Sequence, residues 1–122
     1  MTAEELYNSI DGNYAEAKKR LMNDRLISKF IVKFLNDPSY DQFIAAWKEK
    51  NEEMLFRSSH TLKGVCANLA LDKLYTLASD ICEYYRPGKE AERAGKDVAA
   101  LVMALEEQYA LTVAAIKLFA EQ

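Results

Sequence analysis

The closing segment of the chain, from about Asp97 to Glu121, carries the feature that most restricts the possible fold. Apolar side chains recur there at steps of three and four residues, at Val98, Leu101, Val102, Leu105, Tyr109, Val113, Ile116 and Phe119. This is the period of an α-helix and not that of a β-strand. Because such a helix gains free energy only when its apolar stripe leaves water, the rest of the chain must supply surfaces that cover it.

The amino-terminal third of the chain predicts three short helices. Thr2 and Glu5 have the spacing of a capping box, which starts a helix that ends near Asp11 and Gly12. A second helix is expected from about Asn13, and a new cap at Asn23-Asp24 precedes "RLISKFIVKFL". Helical spacing in that stretch predicts one buried stripe, formed by Leu26, Ile27, Phe30, Ile31, Phe34 and Leu35.

The rest of the chain predicts four longer helices. Pro38 ends the preceding helix, and Ser39 with Gln42 begins one that runs to about Lys50. Helices are expected from Asn51 to about Leu69, from Asp72 to the residues before Pro87, and over the closing segment. No segment alternates as a strand does. We therefore predict a single all-α domain over residues 1–122, an antiparallel four-helix bundle with additional short N-terminal helices.

Composition and charge exclude several classes of function. The 16 basic and 19 acidic side chains give a net charge of -3, which disfavours a nucleic-acid-binding protein. No uninterrupted apolar run reaches the roughly 20 residues that span a bilayer, and the start of the chain lacks a secretion pattern. We expect a cytoplasmic protein with no membrane contact. Cys66 and Cys82 stand in apolar helical patterns without a CxxC motif, so we expect reduced, buried thiols.

The one histidine, His60, lies in "FRSSHTLKGVCANLA" and is predicted to face water. At about 100° per residue, the core residues Leu55, Leu62 and Leu69 lie at least about 140° from it around the helix. Its own side of the helix is occupied by a different set. Within about 60° of His60 lie Phe56, Arg57, Lys63, Gly64 and Ala67.

Gly64 weakens this helix by about 1 kcal/mol relative to alanine, so something should offset that cost. A small residue beside the imidazole lets another molecule approach closely. Lys63 and Arg57 would suit an anionic group, since their cationic donors form charge-assisted hydrogen bonds with phosphate oxygens. A neutral imidazole is also a competent nucleophile near pH 7. Each feature alone has a plainer interpretation as an ordinary solvated helix face.

Taken together, "HTLKG" followed by "VCANLALDKL" resembles the signature of histidine-containing phosphotransfer (HPt) domains. The resemblance extends from "KFIVKFLND" through "LASDICEYY" to the closing helix. It implies a four-helix bundle that shuttles a phosphoryl group between aspartates of response-regulator receiver domains. By motif position, His60 would be phosphorylated, Lys63 would neutralise the phosphate, and Gly64 would give clearance to the docking receiver.

The resemblance also implies the partners. These are receiver domains, which supply Mg²⁺, and a hybrid sensor histidine kinase; the domain itself would need no cofactor and no metal. Arg57 is added from helical geometry, and Phe56 and Ala67 are expected on the docking surface. The four dispersed glycines include no GxxxxGK loop, so we expect a phosphocarrier and not an ATP-dependent kinase. We expect a monomer.

Two positions depart from the family pattern. Ala70 stands where members usually end this helix with glycine, which predicts a different helix ending. Cys82 or Glu83 occupies the place where members often carry glutamate or glutamine near the histidine. A second hypothesis remains, in which the bundle binds receiver domains without being phosphorylated. A metal- or haem-binding bundle is remote, because it needs several inward ligands and the chain has one outward histidine.

Overall fold

The computed structural model describes all residues 1–122 and consists of α-helices, two short 3-10 turns and connecting segments. The 3-10 turns span Phe34–Asn36 and Glu90–Arg93. No strand is present, so the predicted all-α class is confirmed. In chain order the helices are α1 (Ala3–Ser9), α2 (Tyr14–Leu21), α3 (Asp24–Lys33), α4 (Ser39–Glu49), α5 (Glu52–Asn68), α6 (Asp72–Tyr84) and α7 (Val98–Ala120).

The helices α4, α5, α6 and α7 form the bundle around one core. α5 packs between α4 and α6, and α6 packs against α7. Two stacked rings connect α4 with α7: those of Tyr40 and Tyr109 lie parallel, with centroids 3.6 Å apart. α5 and α7 therefore occupy opposite corners. The largest fully buried side chains of these four helices are Phe43, Leu55, Leu62, Leu74, Ile81, Leu105 and Ile116.

Three predicted asparagine caps are confirmed. The side chains of Asn13, Asn23 and Asn51 each accept a hydrogen bond from a backbone N–H three residues later. These bonds satisfy donors that the first turn of a helix leaves free, and so they fix where α2, α3 and α5 begin. The capping box at Thr2 and Glu5 is also formed.

The start of α4 differs from the prediction. Ser39 does not cap this helix; its backbone N–H instead donates to Asp37 Oδ1 over 2.9 Å, and its hydroxyl donates to the same carboxylate. Pro38 occupies the cap position and offers no side-chain hydrogen bond. The carboxylate two residues before the helix therefore takes over the role that the sequence pattern assigned to Ser39 and Gln42.

The prediction that the whole α3 stripe is buried was wrong at Phe30. Ile27 and Ile31 are buried, but the side chain of Phe30 is 37% exposed. Its ring lies between two ammonium groups, 5.9 Å from Lys29 Nζ and 5.5 Å from Lys33 Nζ. α3 packs at the edge of the bundle, so only the narrow centre of its apolar stripe reaches the core.

The end of α5 keeps the conformation that glycine favours, although alanine stands there. Ala70 has a φ of 54°, in the left-handed region. The N–H of Leu71 donates to the carbonyl of Cys66 over 2.9 Å, and that of Ala70 donates to Ala67 over 3.2 Å. These two bonds define a Schellman ending. The prediction of a different helix ending at Ala70 is therefore wrong. Ala70 adopts a left-handed backbone conformation, which is strained for a residue with a Cβ.

The N-terminal helices attach to the turn between α5 and α6 and to α7 through hydrogen bonds. The buried hydroxyl of Tyr7 donates to the carbonyl of Leu69 over 2.8 Å. The N–H of Asn13 donates to the carbonyl of Ala70 over 2.9 Å. On α7, the buried Gln108 Nε2 donates to the carbonyl of Ile10 over 2.8 Å. Residues 1–36 thus form hydrogen bonds with the bundle and also contribute side chains to the same hydrophobic core.

α7 is apolar on most of its circumference. By length and composition alone it could cross a membrane, with a mean hydropathy of 1.4 over an 18-residue window, of which 28% is buried in this structure. One side of α7 lies in the bundle core, where Val102, Leu105 and Ile116 are buried.

We predict that Tyr7→Phe lowers the free energy of unfolding by about 1–2 kcal/mol, because the buried carbonyl of Leu69 then loses its hydrogen-bond donor. Urea unfolding followed by circular dichroism measures the change. Tyr75→Phe is the matched control, since the side chain of Tyr75 is 37% exposed. A loss for Tyr7→Phe no larger than that of the control would contradict the assignment.

Candidate functional site

The rotation of α5 places His60 on the outer surface of the bundle. The Asn51 cap fixes the start of the helix, and Leu55, Leu62 and Cys66 bury its inner face. The imidazole is exposed. Its aromatic neighbour is Phe56, one turn earlier on the helix, with ring centroids 6.1 Å apart.

Gly64 leaves the space next to the imidazole open. A Cβ placed on Gly64 would have no atom within 4 Å other than those of its two chain neighbours and the backbone of the adjoining helical turns. Helical side chains lean toward the N-terminus of their helix, so a side chain at position 64 would cover the surface over position 60. Because glycine has no side chain, one flank of His60 stays accessible to a second molecule.

Hydroxyl groups next to His60 are bonded within α5. Ser58 Oγ donates to the carbonyl of Met54 over 2.6 Å, and Ser59 Oγ donates to that of Leu55 over 2.7 Å. Thr61 Oγ1 donates to the carbonyl of Arg57 over 3.1 Å. This back-bonding satisfies two buried serines without a partner from another helix. It also leaves charged side chains as the principal free donors around the imidazole.

Lys63 and Arg57 differ in how far they are already engaged. Arg57 Nη2 lies 2.9 Å from Glu53 Oε1, one turn earlier on the same exposed face. Lys63, which is half-buried, has no carboxylate within 4.0 Å of its ammonium group. The Lys63 side chain points toward the N-terminus of α5, and therefore toward His60, which lies three residues earlier in the helix. Lys63 is therefore the cation next to His60 that is ready to meet a new anion.

A second arginine, which the sequence interpretation missed, lies two residues beyond the end of α6. The guanidinium carbon of Arg86 lies 5.3 Å from the ring centroid of Phe56, and Arg86 Nη2 lies 2.7 Å from Glu83 Oε1. The hydrogen bond from Arg86, and to a smaller extent the charge of Lys63, lowers the pKa of Glu83. The short antiparallel turn between α5 and α6 was the available signal, because it brings the end of α6 opposite the start of α5.

Cys82 and Glu83, the two residues at the place where family members often carry glutamate or glutamine, lie on different sides of α6. Cys82 is completely buried in the core, whereas Glu83 is exposed beside Arg86. The polar group of α6 near the site is thus Glu83. Both cysteines are free and buried, as predicted, and burial raises the pKa of the Cys66 thiol to about 12. No group of three or more His, Cys, Asp or Glu side chains could hold a metal ion.

The other residues predicted at the site lie on the same face. Phe56 and Ala67 are half-buried, and Arg57 and Gly64 are exposed. Further around α5, a shallow groove runs between Val65 and the segment that contains Phe30 and Pro38. The structure thus surrounds the imidazole with small and aromatic surface, one unpaired cation and two paired arginines.

We predict that Gly64→Ala raises the free energy of unfolding by about 0.5–1 kcal/mol, because the added methyl group contacts nothing and alanine favours the helix. Urea unfolding measures the gain. Gly12→Ala is the contrasting variant, since a Cβ there would lie 2.7 Å from Tyr7 Cδ2. It should destabilise the protein. A loss of stability on Gly64→Ala would show that position 64 is not open.

Comparison with known families gives one match. A family model described as "Hpt domain" matches residues 37–115, which include α4, α5, α6 and most of α7. No match was found among curated proteins or among solved structures.

Proposed function

The chain belongs to the Hpt domain family, and on this premise we propose that His60 carries a phosphoryl group between receiver domains of a two-component phosphorelay. Members of the family are phosphocarriers and not kinases. The observation that carries the assignment to His60 is its position: it is the only histidine, it is exposed, and Gly64 leaves its flank open.

The proposed reaction is an in-line transfer. A lone pair on a ring nitrogen of neutral His60 attacks the phosphorus of a receiver aspartyl phosphate. The P–N bond forms as the P–O bond to the aspartate breaks, the aspartate leaves as a carboxylate, and the imidazolium loses the proton on its other nitrogen. The Mg²⁺ belongs to the receiver. Since a second receiver can reverse the same step, one imidazole suffices to pass the phosphoryl group on.

We propose that Lys63 stabilises the negative charge of the phosphoryl group. No carboxylate lies within 4.0 Å of its ammonium group, although the charge of Glu83 is near enough to interact with it, so Lys63 can donate to an equatorial oxygen without first breaking an ion pair. Arg57 would contribute only after it releases Glu53. We place it, with Phe56 and Ala67, on the surface that contacts the receiver.

The remaining assignments complete the proposal. Residues 1–122 form one HPt domain, because buried hydrogen bonds tie residues 1–36 to the matched region. A hybrid sensor histidine kinase in the cytoplasm would feed the relay through its receiver domain. The alternative, a bundle that binds receivers without phosphorylation, would use the same surface but not the imidazole nitrogen.

We predict that a receiver domain charged by a small phosphodonor labels the protein at His60 in an acid-labile, alkali-stable form. His60→Gln should abolish the label while it leaves helicity and receiver binding intact. Thin-layer or gel-based detection of radiolabelled protein checks the transfer. Binding of a receiver without label on the unmodified chain, across all receivers of the source organism, would favour the alternative.

We predict that Lys63→Ala slows transfer by roughly tenfold or more, because an electrostatic contact made in the transition state is lost. The matched control is Lys50→Ala, at the end of α4. Equal transfer rates for the two variants, measured in single-turnover experiments, would reduce Lys63 to a solvated charge.

We predict that Gly64→Gln blocks transfer without loss of stability, because the new side chain covers the approach to His60. Ala99→Gln adds the same side chain to an exposed position on α7 at the opposite corner of the bundle, and it should transfer normally. Unchanged transfer by Gly64→Gln would contradict the clearance role of Gly64.

A further inference from the structure

The outer face of α7 carries an apolar stripe that no other helix of the chain covers. Met103, Leu111 and Leu118 are 64%, 63% and 61% exposed. Exposed alanines lie between them. At about 100° per residue the stripe occupies an arc of roughly 100° along the whole helix. Its members are Ala100, Met103, Ala110, Leu111, Ala114 and Leu118.

This stripe is unusual for the surface of a monomer. Three large side chains, each more than three-fifths exposed, line one face of a single helix, with alanines and Glu107 between them. Exposed apolar side chains that cluster in this way mark sites of interaction. Single exposed apolar residues need no such explanation, but a stripe that runs along an entire helix does.

We propose that this face binds a second copy of the same chain, with the two α7 helices antiparallel about a two-fold axis near Ala110 and Leu111. In this register Met103 of each copy lies opposite Leu118 of the other, and Ala110 lies opposite Leu111. Met103 and Leu118 thus meet at both ends, while at the centre each Leu111 packs against the small Ala110 of the other copy. A two-fold interface of this kind uses the same patch twice and closes on itself.

The charges on the stripe favour the antiparallel arrangement. Glu107 lies within the stripe and Lys117 at its edge. When the helices run in opposite directions, Glu107 of each copy lies within about one turn of Lys117 of the other, which forms two opposite-charge pairs. A parallel pairing would instead place Glu107 against Glu107 and Lys117 against Lys117. Like charges at these positions would repel.

Glu107 also favours a protein partner over a membrane surface. A carboxylate within the stripe would have to enter the apolar layer together with Met103 and Leu111, which is unfavourable without a partner. Between two copies the same carboxylate lies within about one turn of the Lys117 ammonium group of the other copy. The second copy therefore accounts for the charged residues of the stripe as well as for the apolar ones.

The proposed dimer leaves both histidines free. α7 and α5 lie at opposite corners of the bundle, so the two copies join back to back and each His60 faces outward. Dimerisation is thus compatible with the carrier function and independent of it. The proposal departs from the monomer expected from the sequence. Because one helix pair buries less area than a permanent interface, we expect the dimer to be reversible.

Sedimentation equilibrium of the full chain, from micromolar to submillimolar concentration, tests the proposal. The expected result is a monomer–dimer equilibrium that Leu111→Glu shifts to monomer. Met22→Glu is the matched control, because Met22 is 75% exposed but lies outside α7, and it should dimerise as the unmodified chain does. Circular dichroism verifies that each variant is folded. A chain that stays monomeric at the highest concentration would overturn the proposal.

A charge exchange tests the antiparallel register. Glu107→Lys and Lys117→Glu should each weaken dimerisation by about tenfold, which corresponds to about 1.4 kcal/mol. An equimolar mixture of the two variants should dimerise again, since each lysine then meets a glutamate on the other copy. If the unmodified chain dimerises but the mixture does not recover, the register is wrong. Flotation of a monomeric chain with phosphatidylcholine–phosphatidylglycerol vesicles would identify a membrane surface as the occupant and overturn the proposal.

Discussion

The packing of the inner face of α5 is the contact on which the site depends. Leu55, Leu62 and Cys66 are buried, and their burial sets the rotation of the helix about its axis. Because neighbouring residues differ by about 100° around a helix, a slip of one position would turn His60 toward the side of the bundle. The imidazole is therefore placed by hydrophobic contacts on the far side of its own helix. A site on a packed helix also keeps its geometry better than one on a loop.

The end of this helix is held from outside the bundle. Ala70 takes a left-handed conformation that costs roughly 1 kcal/mol in a residue with a Cβ, and the carbonyls of Leu69 and Ala70 accept hydrogen bonds from Tyr7 and Asn13. The Schellman turn presents both carbonyls to Tyr7 and Asn13. The strain at Ala70 is offset by contacts that residues 1–36 provide. The N-terminal helices thus stabilise the helix that carries His60, although they lie outside the region matched by the family model.

Local patterns predicted much of this structure, and long-range packing explains the rest. The caps at Asn13, Asn23 and Asn51 and the outward direction of His60 follow from spacing along one helix, which a sequence shows directly. The exposure of Phe30 depends instead on where α3 meets the bundle edge. The contact of Arg86 with Phe56 depends on the register between two helices. Neither follows from a pattern within a single segment. The short turn between α5 and α6 indicates that the end of α6 lies near the start of α5, but only the assembled helices show the contact of Arg86 with Phe56.

The distribution of charge around His60 suits a carrier that must release what it accepts. Arg57 is paired with Glu53 on its own helix, Arg86 is paired with Glu83 three residues earlier in the chain, and Lys63 forms no ion pair. Exposed ion pairs contribute about 0.2–1 kcal/mol, so either arginine can exchange its carboxylate for a phosphoryl oxygen at little cost. Three unpaired cations would bind the phosphoryl group more tightly and lower the free energy of the phosphohistidine intermediate. With one unpaired lysine and two paired arginines, the site is expected to bind the phosphoryl group less tightly, which favours its release in the proposed relay.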